Sequence, residues 1–183
     1  MALKATIFKA KLGIADMDRS YYADHAVTIA RHPSETDERM LVRLIAFALN
    51  ADEALELGKG LSSEEEPDLW RRDLTGAVAR WIDVGLPDER RVRKACGRSE
   101  RVFVYTYGGR AADLWWTQNA AALERQRNLT VVNLRYESAA VLARLAARGM
   151  DLQFTMQDGQ IWIADGSEPV SVAPVILMAP RDR

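Results

Sequence analysis

Residues 67–108 read PDLWRRDLTGAVARWIDVGLPDERRVRKACGRSERVFVYTYG, and their residue pattern changes twice within that span. PDLWRRDLTG and AVARWIDVG together hold two Trp, two Val and an Ile and are divided by Thr75 and Gly76, which suits two consecutive strands of one sheet. LPDERRVRKACG then opens on proline and acids and closes on Gly97, the asymmetry of a short helix. RVFVYTYG returns to a strongly β-prone composition. Strand, strand, helix and strand in so short a window predict an α/β architecture with a mixed sheet.

Working outward toward the N-terminus, HPSETDERMLVRLIAFALN predicts a helix. Ser34 or Thr36 can cap it, and Glu35, Asp37 and Glu38 favour the positive helix end. From there to Leu49 the segment is apolar nearly all round, with Arg39 and Arg43 as its polar stripe, so burial on most sides is expected. Before it, Phe8, Ala10, Leu12 and Ile14 share one parity while Lys9 and Lys11 take the other, the period of a half-buried strand. A second β-prone run over residues 21–31 follows a polar turn at 16–20, completing a hairpin. Residues 55–62 read as a short strand that leads into the acidic run SSEEE.

Toward the C-terminus the pattern predicts a long helix over 111–128 containing Trp115 and Trp116, then a strand over 129–134. A helix over 138–148 stopped by Gly149 follows, then a hairpin, LQFTMQDGQIWIAD, turning at Asp158–Gly159, and a last strand over 170–178. The expected whole is one domain over 1–183, a mixed β-sheet flanked by helices with added β-hairpins.

The 183 residues suit one unit against about 150 per domain. With 48% hydrophobic and 28% charged residues the composition is globular. Lys plus Arg number 25 and Asp plus Glu 26, so any polyanion must be held by a local patch. Cys96 and two histidines, His25 and His32, cannot supply an intrachain disulfide, a thiolate zinc cluster or a histidine cage, so that if a metal binds its ligands should be mainly carboxylates. Stretches such as LIAFAL and VILMA fall short of the roughly 20 residues that span a bilayer, and MALKATIFKAKLG lacks a signal-peptide core. A cytoplasmic monomer without a membrane partner is expected. Nucleophile-elbow and phosphate-loop sequences are absent.

Three carboxylates stand out. On a helical wheel Val42, Ile45 and Leu49 fall within about 40° of Glu38, which places that acid on the apolar face. Asp83 shares parity with Trp81 at the end of an apolar strand, and Asp68 follows Pro67 where another strand begins. Two carboxylates brought to about 4 Å would repel by roughly 4 kcal/mol at an effective dielectric near 20, a penalty that a divalent cation removes. Cys96 reads as a packing residue and the two tryptophans as core and rim.

Glu38 on a helix, Pro67–Asp68 and Asp83–Val84–Gly85 on strands, then a helix and a strand, resemble the core of the PD-(D/E)XK metal-dependent nuclease superfamily over about 34–135. Gly85 stands where that pattern has lysine, and Lys94 on the following helix takes the lysine role, as in branches where it has migrated. At a finer level ARHPSETDERM, WIDVGLPDERRVRKACG, WWTQN and LQFTMQDGQIWI resemble the bacterial YaeQ family across nearly the whole chain. That family is described as a variation on the nuclease fold, with a poorly defined cellular role.

The resemblance implies a nucleic-acid phosphodiesterase. Asp68, Asp83 and the Val84 carbonyl would hold Mg²⁺ or Mn²⁺, Glu38 would add a ligand or orient its water, and Lys94 would steady the transition state. The basic stretch with Arg90, Arg91 and Arg93 would contact phosphates, unless it is a helix face paired with Asp88 and Glu89. The alternative is a non-catalytic descendant that binds nucleic acid or a protein of the transcription machinery.

Overall fold

The computed structural model describes residues 4–59, 61 and 63–181. In chain order these form β1 (Thr6–Asp16), β2 (Tyr21–Arg31), α1 (Asp37–Asn50), β3 (Leu55–Leu57), β4 (Leu69–Arg72), β5 (Val78–Val84), α2 (Glu89–Arg98), β6 (Ser99–Thr106), α3 (Arg110–Leu123), β7 (Leu129–Arg135), α4 (Ala139–Ala143), β8 (Gly149–Gln157), β9 (Gln160–Ala164) and β10 (Val170–Met178). The fold is mixed α/β, with many strands and few helices. Among the described residues no helix is long and apolar enough to cross a membrane.

Two compact units share the chain, each drawing on two segments. Unit 1 takes residues 1–48 and 136–174, and unit 2 takes 49–135 and 175–183.

In unit 1 the strand order is β2-β1-β8-β9-β10. The alternation read in β1 holds: Phe8, Ala10, Leu12 and Ile14 are buried while Lys9 and Lys11 are exposed. β1 runs antiparallel to β2 and parallel to β8, with Lys9 opposite Gly149. The β8–β9 turn has φ of +52° at Asp158 and +73° at Gly159, as a two-residue hairpin requires, and the Asp18 carboxylate accepts hydrogen bonds from both backbone amides. Thr36 caps α1, its hydroxyl accepting from the Arg39 amide at 3.1 Å. The expected polar stripe is folded inward: Arg39 and Arg43 both bind the buried Glu35 carboxylate, and Arg43 also donates to the Ala30 carbonyl. A buried guanidinium is tolerable because it is paired and hydrogen-bonded at once.

In unit 2 the order is β7-β6-β5-β4-β3, with β5, β6 and β7 parallel and β3, β4 and β5 antiparallel. The β4–β5 turn closes as the sequence predicts: Gly76 has φ of +87° and Asp73 accepts from Thr75 and Ala77. Val92, Ala95 and Cys96 of α2 pack with Trp81, Val102, Val104 and Trp115 into the core of this unit.

Four elements differ from expectation. The strand expected over 55–62 ends at Leu57, and residues 60 and 62 of that expectation lie outside the described residues. Gly97 does not stop α2, which runs through it to Arg98. The helix expected to reach Asn128 ends at Leu123, where Gln126 bonds back to Leu123 in a tighter turn. The helix expected over 138–148 is one short turn, Ala139–Ala143. Its continuation is forfeited because the Lys9 amide takes the Arg148 carbonyl and Gly149 starts the parallel pairing of β8 with β1.

Candidate functional site

The antiparallel register of β4 and β5 pairs Leu69 with Ile82. Asp68 lies one residue before Leu69 and Asp83 one after Ile82, so the same register sets the two acids opposite each other. Both are buried, 3% and 2% exposed. Neighbouring carboxylates of this kind repel and must be neutralised.

Arg91 neutralises them. Its Nε donates to Asp83 Oδ2 at 2.8 Å and its Nη2 to Asp83 Oδ1 at 3.0 Å, a bidentate fork on a buried carboxylate. The remaining donors reach the Glu64 carbonyl at 3.0 Å and the Glu66 carbonyl at 3.2 Å, and the guanidinium stands 5.8 Å from the centre of the Trp81 ring. Burial opposes the Arg91 charge, but the hydrogen bonds and charge of Asp83, then the charges of Asp68 and Asp88, outweigh it and hold its proton more tightly than usual. Asp68 has a second anchor, its Oδ2 accepting from the Val84 amide at 2.8 Å.

The turn that delivers Arg91 is built locally. Gly85, at φ +103°, gives its amide to the Tyr105 carbonyl, and the Asp88 side chain caps α2 by accepting from the Arg91 amide at 2.8 Å. Trp115 of α3 donates its indole N–H to the Pro87 carbonyl at 2.8 Å, tying down the entry to α2. The positive φ at Gly85 is costly for any other residue, which is a physical reason for a lysine to be absent there.

The register sets Asp68 opposite Asp83, Val84 gives its amide to Asp68, and Arg91 occupies the Asp83 carboxylate. Lys94 points elsewhere: its amine pairs with Glu65 at 3.1 Å, and Arg98 pairs with the other oxygen of the same carboxylate at 3.1 Å. The hydrogen bond of Arg98, then that of Lys94, hold the Glu65 carboxyl below its ordinary range. Arg93 pairs with Glu89 on its own helix, and Arg90 is exposed. Glu38 belongs to unit 1, where its carboxylate accepts from the Tyr136 hydroxyl at 2.7 Å. Cys96 is packed in the core, and burial pushes its thiol up to about 12, which keeps it protonated and unreactive.

The oxygens that a divalent cation would use are thus committed, both from Asp83 to Arg91 and one from Asp68 to Val84. Among the described residues no group of three or more His, Cys, Asp or Glu is arranged to hold a metal. In this arrangement the donor set does not fit Mg²⁺ or Mn²⁺, which need several free oxygens.

Arg91, expected as a phosphate contact, is held instead by Asp83, and Glu65 and Tyr136 escaped the sequence reading. Arg91 was one of several basic residues in a row, yet at about 100° per residue it lies only about 40° from Ala95, on the border of the buried face. Glu65 sat in an acidic run with no period to assign it a partner. No such signal marks Tyr136.

The sequence profile described as "YaeQ protein" matches residues 1–174. An "Uncharacterized protein YaeQ" of Escherichia coli (strain K12) is 46% identical over 172 residues, 94% of this chain and 95% of that protein. The crystal structure of YaeQ protein from Xanthomonas axonopodis pv. citri superposes with a TM-score of 0.92 at 51% identity, covering 96% of this chain and 99% of that one. That of YaeQ protein from Pseudomonas syringae gives 0.89 at 33% identity, covering 97% and 98%. The chain belongs to the YaeQ family.

Proposed function

We propose that the chain is a nucleic-acid-binding protein that does not turn over phosphodiesters, built on a relative of the PD-(D/E)XK nuclease core in which Arg91 supplies the positive charge. One observation carries the non-catalytic part of this reading: the Arg91 guanidinium spans both oxygens of buried Asp83 and is itself fixed by two backbone carbonyls. A guanidinium so held compensates the carboxylates permanently, and it cannot polarise a water as a Lewis acid does. The Lys94 amine pairs with Glu65 and not with the Asp68 or Asp83 carboxylate.

The test is incubation with single- and double-stranded DNA and RNA, with and without Mn²⁺, followed in parallel by gel analysis and by fluorescence anisotropy. Retention of intact strands is expected. Mn²⁺-dependent cleavage that disappears in Asp83→Asn would sink the proposal.

Such cleavage would favour a second reading, the metal-dependent phosphodiesterase with Asp68, Asp83 and Val84 as ligands and Lys94 and Glu38 in support. Its own observation is the burial of two acids on paired strands, an arrangement rarely kept without a cation of some kind.

A further inference from the structure

Unit 2 carries a second concentration of positive charge, away from the Arg91 pairings. A cleft of about 770 Å³ is lined by Arg101 at the start of β6, Arg127 before β7 and Arg181 after β10. Arg181 is held there by its backbone amide, which donates to the Arg127 carbonyl at 2.9 Å. One carboxylate among the described residues, Glu100, shares the lining. Among the described residues none of the three guanidiniums has a carboxylate within ion-pair distance, whereas Arg91, Arg93, Lys94 and Arg98 of α2 are all paired.

Three like charges gathered on one cleft against a single carboxylate repel, and an anion relieves them all at once. Three features narrow the class of anion. Planar guanidinium forks match the tetrahedral oxygens of phosphate, and three of them exceed what a single carboxylate can use. The three arginines are exposed, so the cleft admits a chain passing through it. Among the described residues no aromatic ring lines it, so the cleft suits contact with the backbone and not base stacking. The local backbone is already prepared: the Asn128 amide donates to the carbonyls of Cys96, Ser99 and Glu100, screening helix-end oxygens that would repel an anion. The Ser99 hydroxyl is buried in the cleft wall without a partner among the described residues.

We propose that the Arg101–Arg127–Arg181 cleft is a phosphate site that grips the backbone of a nucleic-acid strand. The assignment of the strand rests on the nucleic-acid reading above, while the phosphate chemistry stands on the cleft itself.

The experiment compares the full chain with the triple variant Arg101→Gln, Arg127→Gln, Arg181→Gln and with the double variant Arg90→Ala, Arg93→Ala. Thermal melting checks that each is folded, and single arginine substitutions stand in if the triple variant is not. Binding of a fluorescein-labelled single strand is read by anisotropy over a salt series, and binding of inorganic pyrophosphate by calorimetry. In the triple variant strand affinity should fall at least tenfold, with a salt slope shallower by about 2, from about 0.7 per lost phosphate contact. A smaller loss is expected in the double variant. If the triple variant binds the strand as the parent does, the cleft assignment is overturned while nucleic-acid binding stands. If the parent binds no strand but binds pyrophosphate, and the triple variant does not, the nucleic-acid reading fails and the cleft survives as a site for a free phosphate ligand. If the parent binds neither, both fall.

Discussion

Asp83 and Arg91 illustrate how burial turns an ordinary ion pair into a dependency. Exposed pairs are worth about 1 kcal/mol or less, but removing one partner of a buried pair strands a charge in a poor solvent and costs about 3–5 kcal/mol. Arg91→Ala should therefore lower the unfolding free energy by about 3 kcal/mol in urea titrations, since Asp83 is almost inaccessible and Asp68 loses the same compensation. Replacing both members by apolar residues, Arg91→Met with Asp83→Leu, should recover much of that loss because no charge is left behind. A double variant no more stable than Arg91→Ala would show that the guanidinium matters for its hold on the Glu64 and Glu66 carbonyls instead. At this scale the acids were legible in the sequence and their partner was not. Asp83 announced itself as an acid at the end of an apolar strand and Asp68 through the preceding proline, whereas Arg91 shared its composition with its basic neighbours and differed in helical phase.

Elements were legible where local pattern and tertiary pairing agree. β10 begins and ends at the residues read from the sequence, and the Asp158–Gly159 hairpin adopts the turn its residues favour. They were not legible where a long-range partner overrides propensity, as when β1 claims the residues after α4. Gly97 is a third kind of case, a residue whose type signals a stop that the helix ignores. Its φ is not positive, and a Cβ placed there meets nothing within 4 Å. Gly97→Ala should accordingly stabilise the protein by about 0.5–1 kcal/mol, through helix propensity and a less flexible unfolded chain, seen as a raised melting midpoint. A lowered midpoint would mean that the end of α2 needs the freedom of glycine. The contact between α2 and the segment before β4 also has a titration signature. The folded-state pKa of Glu65 is depressed, so its contribution is present above the ordinary value of 4.5 and is lost as pH falls below it. The melting difference between the parent and Glu65→Gln should be visible at neutral pH and should shrink below pH 4.5, and added salt should reduce it as well, because this carboxylate is fully exposed. A difference that persists in acid would assign the effect to something other than the Lys94 and Arg98 pairs.

For the whole molecule, a formal charge of −1 conceals how the charges are spent. Among the described residues the basic side chains Arg39, Arg43, Arg91, Arg93, Lys94 and Arg98 are matched locally by acids, whereas the three arginines of the cleft after α2 are not. Family motifs between residues 30 and 163 made the family readable from the sequence, but a motif records residue types and not which charge neutralises which. That distinction decides how the folded protein should respond to metal. A ligand that binds only the native state at about 100 times its dissociation constant stabilises it by about 2.7 kcal/mol, which for a chain of this length is a rise of roughly 5–10 °C in Tm. With Arg91 already between the carboxylates, millimolar Mn²⁺ or Mg²⁺ should leave the Tm of the parent unchanged. Removing the guanidinium frees both Asp83 oxygens beside Asp68, so Arg91→Ala, though less stable, should gain a Mn²⁺-dependent rise of several degrees. That rise should vanish in Arg91→Ala with Asp83→Asn, which takes away one of the two charges that attract the ion. If Mn²⁺ raises the Tm of the parent and Asp83→Asn abolishes the effect, the cation displaces Arg91 in the native protein, and the phosphodiesterase reading replaces the binding one.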